Sequence, residues 1–281
     1  MFEQIKPANQ FDQQSLIRFI NGPQLSYEHL DWQPSHSRLK ENSTFVLVEQ
    51  EQATAVLSVA PETSDFAWLR FFFTRRDGRH KSTFQALLNY STEWLREKKI
   101  SKLYSLSSSD WFENLLNRNG FEEQTKIVSL SLSSPEILNI CIPDEITIRS
   151  MTHADIPQVH ELDQLCFEQP WQLNLDSMKN CYFKSAYSSL LFKDQQLLAY
   201  QISTPFLDQV HLARLAVHPQ ARRLGLGRLL VNNLFLEVGQ DASSTITVNT
   251  QIENLPSLNL YQKLGFARGD EFMPVYCLSL F

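Results

Sequence analysis

The chain has 281 residues, 43% of them hydrophobic and 20% charged, a composition that is typical of a globular protein and excludes a disordered chain. Because domains usually hold about 100 to 150 residues, this length predicts two domains of about 140 residues each. The net charge of −6 disfavours a general nucleic-acid-binding protein and is compatible with a cationic partner.

No apolar run approaches the roughly 20 residues of a membrane span, and the N-terminus lacks the basic-then-apolar order of a secretion signal. We therefore expect a cytoplasmic protein with no membrane partner. The four cysteines lie far apart and form no Cys-x-x-Cys pair, which predicts reduced thiols rather than a disulfide framework or a zinc site. No metal is expected.

The first half of the chain alternates short strands with helical segments, read from apolar periodicity and from Gly, Pro and Asn breakers. In chain order we predict a strand at 2–6, a helix at 12–20, a loop to residue 43, a hairpin at 45–48 and 55–59, a strand at 66–73, a helix at 84–99, a strand at 103–106 and a helix at 110–118.

The second half repeats this order of elements. We predict a strand at 146–149, a helix at 154–166 and a hairpin at 189–192 and 197–202. Gly225 lies 147 residues after Gly78, and Gly265 lies 145 residues after Gly120. These near-constant offsets indicate a tandem duplication, and turn-forming residues between 133 and 144 place the domain boundary near residue 140.

A glycine-punctuated basic turn in the second half joins a short apolar strand that ends at Val217 to a helical segment that starts near Leu226. Gly225 and Gly227 remove Cβ atoms at the helix entrance, so that backbone N–H groups can approach a bulky anion. Positive charge around this turn comes from Arg222, Arg223 and Arg228. The spacing is that of neither a Walker-type phosphate loop nor a dinucleotide fingerprint, which disfavours nucleotide hydrolysis and dinucleotide binding.

The pattern Arg222-x-x-Gly225-x-Gly227 resembles the acyl-CoA pyrophosphate loop of the GNAT superfamily of N-acetyltransferases. A second pattern, Asn254 followed by Tyr261 and then by Gly265-Phe266, is similar to that superfamily's later motif. The resemblance implies two tandem GNAT-like α/β (α+β) domains, each a mixed, mostly antiparallel sheet flanked by helices. It also implies acetyl-CoA as the cosubstrate.

The resemblance further implies roles for individual residues. Tyr261 would donate a proton or a hydrogen bond to the leaving CoA sulfur, and Asn254 would cap the helix that carries it. The implied cosubstrate-binding residues are Leu215, Val217, Arg222, Arg223, Leu224, Gly225, Leu226, Gly227, Arg228, Asn254, Ser257 and Tyr261.

The segment Cys166-Phe-Glu168-Gln-Pro170-Trp171 is similar to a loop of bacterial ribosomal-protein N-terminal acetyltransferases. Those enzymes usually carry a glutamate on the strand before the Asn motif, whereas residues 245–251 here contain no carboxylate. Glu168 is therefore the preferred base, because the family places this loop beside the acceptor entrance, where Phe167 and Trp171 would line the cleft. The alternative bases are His211, Asp208 and Glu253.

The first copy of the duplication lacks several residues of the two motifs. Arg75 and Gly78 stand opposite Arg222 and Gly225, but His80 replaces Gly227 and would crowd a pyrophosphate. At the second motif, Ser109 and Leu116 stand opposite Asn254 and Tyr261. We therefore expect residues 1–140 to form a degenerate, non-catalytic domain and residues 141–281 to form the acetyltransferase.

The expected activity is direct transfer of an acetyl group from acetyl-CoA to a primary amine, in a ternary complex with a protein N-terminus, a lysine or a small amine as acceptor. The alternative is a non-catalytic acyl-CoA-binding or scaffold protein. The eroded first copy and the missing strand carboxylate favour this alternative, and Tyr261 disfavours it.

Overall fold

A computed structural model describes residues 4–30, 32–107, 109–239 and 245–281. The chain forms two compact units, one of residues Met1–Gln124 with Met273–Phe281 and one of residues Thr125–Phe272. The division therefore falls 16 residues before the expected boundary near residue 140, and the last nine residues return to the first unit. No helix in the described residues is long and apolar enough to cross a membrane.

The first unit contains most of the elements predicted for the first half. They are β1 (Gln4–Pro7), α1 (Gln13–Ile20), β2 (Leu25–Glu28), α2 (Ser35–Arg38), β3 (Thr44–Glu49), β4 (Gln52–Pro61), β5 (Phe66–Thr74), α3 (His80–Glu97), β6 (Lys102–Leu106) and α4 (Asp110–Arg118). The first two residues of the predicted strand at 2–6 lie outside the described residues. The prediction of a loop to residue 43 was wrong, because β2 and α2 lie there.

The remaining elements follow the same order. They are β7 (Glu122–Ser133), β8 (Ile146–Ser150), α5 (Ile156–Cys166), α6 (Leu175–Phe183), β9 (Tyr187–Lys193), β10 (Gln196–Phe206), β11 (Gln209–Val217), α7 (Leu226–Val238), β12 (Thr245–Gln251), α8 (Leu255–Lys263) and β13 (Ala267–Ser279). Both hairpins turn on two residues with positive φ, Gln50-Glu51 and Asp194-Gln195, as tight hairpin turns require.

The sheet of the first unit has the order β1-β3-β4-β5-β6 and ends on the last residues of β13. Only the β5–β6 pair is parallel. All nine residues of β5 are buried, because α3 and α4 cover one face, through Phe84 and Phe112, and α1 covers the other, through Leu16. This strand forms the centre of the unit's core.

The sheet of the second unit has the order β7-β12-β11-β10-β9-β8. Among its described residues only β11 and β12 run parallel, so the expected mixed, mostly antiparallel sheet is confirmed. Helices α7 and α8 pack on one face in a cluster that includes Leu212, Val248, Leu234 and Tyr261. Helix α5 contacts β10 and β11.

The last strand of each half lies in the sheet of the other unit. Residues 127–133, which follow α4, pair with β12, and residues 275–279, which follow α8, pair with β6. A simple duplication without exchange would pair residues 127–133 with β6 and residues 275–279 with β12. The exchange explains why the unit boundary does not coincide with the sequence repeat.

We predict that the fragments 1–140 and 141–281 do not fold separately. The first lacks the strand that covers β6 and the second lacks the strand that covers β12, so each leaves an unpaired sheet edge. Circular dichroism and urea unfolding of each fragment should show no cooperative transition, whereas co-expressed fragments should recover one. A cooperative, monomeric transition from either fragment alone would contradict the prediction.

Candidate functional site

The second unit contains a fork between its two parallel strands. β11 and β12 pair only from Val210 to Leu212, opposite Ile246 to Val248. Beyond this apex, Leu215 and Val217 on β11 have no register partner on β12. Their other edge is occupied, because β10 pairs with β11 through Val217. The fork therefore leaves main-chain groups of β11 without a strand partner at the centre of the sheet.

A β-bulge lies at the apex of the fork. Ile202 on β10 pairs with Arg214, and the next residue, Ser203, pairs with Leu212, so Ala213 is the extra residue. A bulge bends its strand and reverses which face the following side chains occupy. It turns β11 away from β12 and directs Arg214 toward α5.

The loop that follows β11 forms a concave set of backbone N–H groups. Arg223 and Gly225 both adopt left-handed backbone conformations, with φ of 66° and 82°. Gly225 is the N-cap of α7, so the N–H groups of the first helical turn, from Leu226 onward, have no acceptor within the helix. Alternating backbone handedness ahead of a helix N-terminus is a known anion-binding geometry.

Gly227 lies where α7, α8 and β11 meet. A Cβ atom at this position would lie 3.2 Å from Leu260 Cδ2, 3.7 Å from Val217 Cγ2 and 3.9 Å from Leu215 Cδ2. A Cβ at position 227 would thus require Leu260 to shift, and glycine is favoured at position 225 by its left-handed backbone conformation. The loop residues Arg223, Leu224 and Arg228 are exposed.

Arg222 does not direct its guanidinium toward the N–H groups of the loop. Its Nε donates to the Val217 carbonyl over 3.3 Å and its Nη2 donates to the Cys166 carbonyl over 3.2 Å. The Cys166 thiol donates to the same Val217 oxygen. Burial raises the pKa of this thiol to about 11, so Cys166 is unsuited to act as a nucleophile. Arg222 therefore holds the loop closed against α5.

The residues of the second motif lie on α8 and pack against the fork. The Asn254 side-chain Oδ1 accepts from the Ser257 N–H over 3.3 Å and its Nδ2 donates to Thr250 Oγ1 over 3.1 Å, so Asn254 caps α8 and ties it to β12. Tyr261 is buried in the cluster that contains the apex residues Leu212 and Val248. Burial raises its pKa, which keeps the phenol protonated at neutral pH.

Residues 167–173, which we call the Pro-Trp loop, connect α5 to α6. Glu168 is exposed, and its carbonyl accepts from the Trp171 N–H over 2.8 Å. Phe167 and Trp171 are partly buried. Arg214 contacts both residues: its guanidinium carbon lies 3.8 Å from the centre of the Phe167 ring, and its Nη2 donates to the backbone carbonyl of Trp171.

A buried polar cluster beneath this loop was not predicted from the sequence. Arg214 forms an ion pair with Asp163 on α5, and the Tyr200 hydroxyl donates to the same carboxylate. Asp163 and Tyr200 are fully buried. Burial opposes the charge on Arg214, but Asp163 more than offsets it and raises the arginine pKa. The signal in the sequence was an arginine within the apolar run of β11 and an aspartate on the apolar face of α5.

Among the alternative bases, only His211 lies at the fork. It is half-buried, and its Nδ1 lies 2.9 Å from Thr247 Oγ1 directly across the apex. Strand alternation puts both side chains on the face opposite Leu212 and Val248. Asp208 is exposed in the turn between β10 and β11, and Glu253 accepts a hydrogen bond from Thr125.

The corresponding fork in the first unit is filled by its own chain. β5 and β6 pair only from Phe66 to Trp68, and β2 then pairs with residues 71–74 of β5 on the same edge. Tyr27 of β2 stacks on Phe112 of α4, with ring centres 3.8 Å apart. This strand thus occupies the position in which the second unit presents unpaired main chain.

The loop before α3 also contains an internal anion. Asp77 accepts from the Arg79 N–H over 3.0 Å and from the Arg79 side chain, which also pairs with Glu49. Although burial opposes ionisation, these hydrogen bonds from Arg79 lower the pKa of Asp77. Two carboxylates therefore neutralise Arg79 within the loop that corresponds to residues 222–227.

Comparison with known proteins identifies the second unit. Residues 156–266 match the acetyltransferase (GNAT) family. The second unit therefore contains a GNAT acetyltransferase domain. The [ribosomal protein bS18]-alanine N-acetyltransferase of Escherichia coli is 27% identical over 120 residues, which cover 43% of this chain and 80% of that protein. The Salmonella typhimurium protein of the same name is 28% identical over 123 residues, with the same coverage of both chains.

Solved structures extend the fold likeness to the whole chain. A tandem GNAT protein from the clavulanic acid biosynthesis pathway superposes with a TM-score of 0.66 and 12% identity, covering 100% of this chain and 99% of that chain. A GCN5-related N-acetyltransferase from Anabaena variabilis gives a TM-score of 0.68 and 11% identity, covering 100% and 73%. The tandem GNAT-like fold is thereby confirmed. The described residues contain no group of three or more His, Cys, Asp or Glu side chains placed to hold a metal ion.

Stability should depend on His211 at mildly acidic pH. Burial lowers the pKa of His211 to about 4. In the unfolded chain the His211 imidazole has a pKa of about 6.5, so between pH 6.5 and 4 it binds a proton that the folded protein excludes. The free energy of unfolding is therefore highest above pH 6.5 and falls as the pH drops toward 4, by up to about 3 kcal/mol. Urea unfolding at pH 7.5 and 5 should show this loss in the wild type and a smaller one in His211→Gln. Equal losses in the two proteins would contradict it.

Proposed function

We propose that the GNAT domain of the second unit transfers an acetyl group from acetyl-CoA to a primary amine by direct attack in a ternary complex. One observation carries the proposal. The main chain of the fork that lacks a strand partner, at Leu215 and at the Val217 N–H, leads directly into the concave N–H loop at Gly225. The pantetheine arm of acetyl-CoA is extended, contains amides and ends in a pyrophosphate, so it matches this order of backbone donors and acceptors.

In this proposal the backbone N–H groups between Leu224 and Arg228 hold the pyrophosphate, with Arg223 and Arg228 adding positive charge. The pantetheine arm pairs with the main chain of Leu215 and with the Val217 N–H, since the Val217 carbonyl already accepts from Arg222 and Cys166. Arg222 contributes by closing the loop rather than by contacting phosphate. Asn254 and Ser257 hold α8 against the fork.

The chemistry requires a neutral amine. Its nitrogen attacks the thioester carbonyl, a C–N bond forms, and the C–S bond breaks to leave a thiolate. Tyr261 donates a hydrogen bond to this sulfur. A thiol has a pKa of about 8.5 and burial raises that of Tyr261 above its usual value of 10, so full proton transfer to the sulfur would be uphill. Tyr261 therefore stabilises charge, and the excess amine proton goes to a base.

Two side chains are proposed as that base. Glu168 is an exposed carboxylate on the Pro-Trp loop, and its charged form can take a proton directly or through water. His211 lies at the apex of the fork with a pKa of about 4, so its imidazole is neutral at pH 7. We favour Glu168, because it is exposed on the Pro-Trp loop where the acceptor is expected, whereas His211 is half-buried with its Nδ1 in contact with Thr247.

The acceptor is proposed to be a protein N-terminus, a lysine or a small amine. The named activity of the bS18-alanine acetyltransferases supports a protein N-terminus. The net charge of −6 and the exposed Glu168 suit a cationic acceptor. All four cysteines are free thiols, which suits the reducing cytoplasm in which we place the protein.

We propose that the first unit neither binds acetyl-CoA nor catalyses transfer. The filled fork and the Asp77 carboxylate within the loop support this, as does His80 at the position of Gly227. The first unit instead receives residues 275–279, the last strand of the chain, beside β6.

Calorimetric titration should therefore show one acetyl-CoA bound per chain. Gly227→His, which copies the residue of the first unit, should abolish binding because even a Cβ at this position approaches Leu260 to 3.2 Å. The reciprocal variant His80→Gly is the matched control and should leave one site of unchanged affinity. Two sites per chain, or normal binding by Gly227→His, would overturn this assignment.

Replacing Tyr261 with Phe should lower kcat about 10- to 100-fold, the worth of one hydrogen bond to a charged group, with little change in acetyl-CoA affinity. The assay is release of free thiol from acetyl-CoA with an alanine-terminated peptide, a lysine peptide and spermidine as acceptors. Tyr90→Phe, on the partly exposed side of α3, is the control.

An unchanged rate for Tyr261→Phe would refute its role. If acetyl-CoA binds but no acceptor gives turnover, the chain is instead an acyl-CoA-binding or scaffold protein.

A further inference from the structure

We propose that the buried Arg214–Asp163 pair is a positioning device that locks the Pro-Trp loop to the strand that carries the cosubstrate, and so sets how the acceptor amine is presented. The inference rests on the proposed acetyltransfer in the second unit. Neither residue belongs to the motifs that mark the acyl-CoA site.

Other groups of the protein bind the guanidinium of Arg214. Its Nε and Nη2 both donate to Asp163, Nη2 also donates to the Trp171 carbonyl over 2.9 Å, and its guanidinium lies against the Phe167 ring. Only 9% of its surface is exposed. A guanidinium held by a carboxylate, a carbonyl and an aromatic face is not available to bind a substrate anion, so its role is to fix what surrounds it.

Asp163 fixes the other end of the same loop. Its Oδ2 accepts from the Leu173 N–H over 3.3 Å, while its Oδ1 accepts from Arg214 and from the Tyr200 hydroxyl. One ion pair therefore holds the Pro-Trp loop at Phe167, Trp171 and Leu173. Planar, multidentate contacts of this kind cannot be reproduced by lysine.

The same pair reaches the cosubstrate strand. Arg214 follows the bulge at Ala213 and precedes Leu215, whose main chain is proposed to pair with pantetheine. A second link runs in parallel, from the Cys166 thiol and carbonyl to Val217 and Arg222. The C-terminal end of α5 is thus attached to β11 both at the apex of the fork and at the phosphate loop.

This arrangement fixes the position of the Pro-Trp loop relative to β11 and takes no part in the chemical step. Small displacements of a positioned reactant cost rate steeply, so loosening the Pro-Trp loop should impair use of the acceptor and spare the binding of acetyl-CoA. Arg214 and Asp163 are accordingly positioning residues, which hold the Phe167 ring and the backbone of Trp171 and Leu173. In this proposal the aromatic side chains of the loop, Phe167 and Trp171, contact the acceptor.

The test is Arg214→Lys, which keeps the charge and loses the multidentate geometry. With an alanine-terminated peptide and with spermidine as probes, KM for whichever is acetylated should rise about tenfold or more. The calorimetric Kd for acetyl-CoA should change less than about twofold. The matched control is Arg70→Lys, which weakens the buried Arg70–Glu62 pair of the first unit and should leave both constants unchanged.

A measurement on the unmodified protein covers the case in which Arg214→Lys fails to fold. Hydrogen exchange should show the Leu173 amide among the protected amides of the second unit, and acetyl-CoA should slow its exchange further. A rapidly exchanging Leu173 amide, or equal acceptor KM for Arg214→Lys and wild type, would overturn the inference. A wild type that binds acetyl-CoA and acetylates neither probe would overturn the proposed function instead, and Leu173 exchange would still decide the inference.

Discussion

The interruption of pairing between two parallel strands is the constraint on which the rest of this structure depends. In each unit the parallel pair holds for three residues and then separates. In the second unit the bulge at Ala213 begins the separation, and in the first unit Arg70 is the extra residue at the equivalent point. Backbone groups that leave a ladder at the centre of a sheet need new partners, because unpaired buried N–H and C=O groups are costly.

The two units meet this need differently. In the first, β2 pairs with the free edge of β5, and Tyr27 stacks on Phe112 of α4. In the second, Leu215 and Val217 retain a free edge beside the concave loop. The loops before α3 and α7 differ in a corresponding way, because the first unit has the Asp77 carboxylate at the position that Leu224 occupies in the second unit. Duplication thus produced one self-satisfied fork and one that we assign to a cosubstrate.

Buried ion pairs stabilise the strands at both bulges. Arg70 pairs with Glu62 in the first unit, and Arg214 pairs with Asp163 in the second. Such pairs add little net stability, since desolvation offsets their attraction, but breaking one leaves a buried charge and costs several kcal/mol. They therefore specify geometry. In the second unit that geometry includes the Pro-Trp loop, which links the bulge to the region where we expect the acceptor.

The sequence by itself determined the duplication, most helices and strands, and the loop and helix cap around Gly225 and Asn254, because local periodicity and glycine spacing record short-range requirements. Only the tertiary structure decided the rest. The strand exchange, β2 in the fork and the Arg214–Asp163 pair join residues that are distant in the chain. Arg222 shows the difference well: its motif position suggested phosphate, but its donors face Val217 and Cys166. Spacing along a chain shows which residue types are available, whereas the partners of a side chain depend on packing between distant segments.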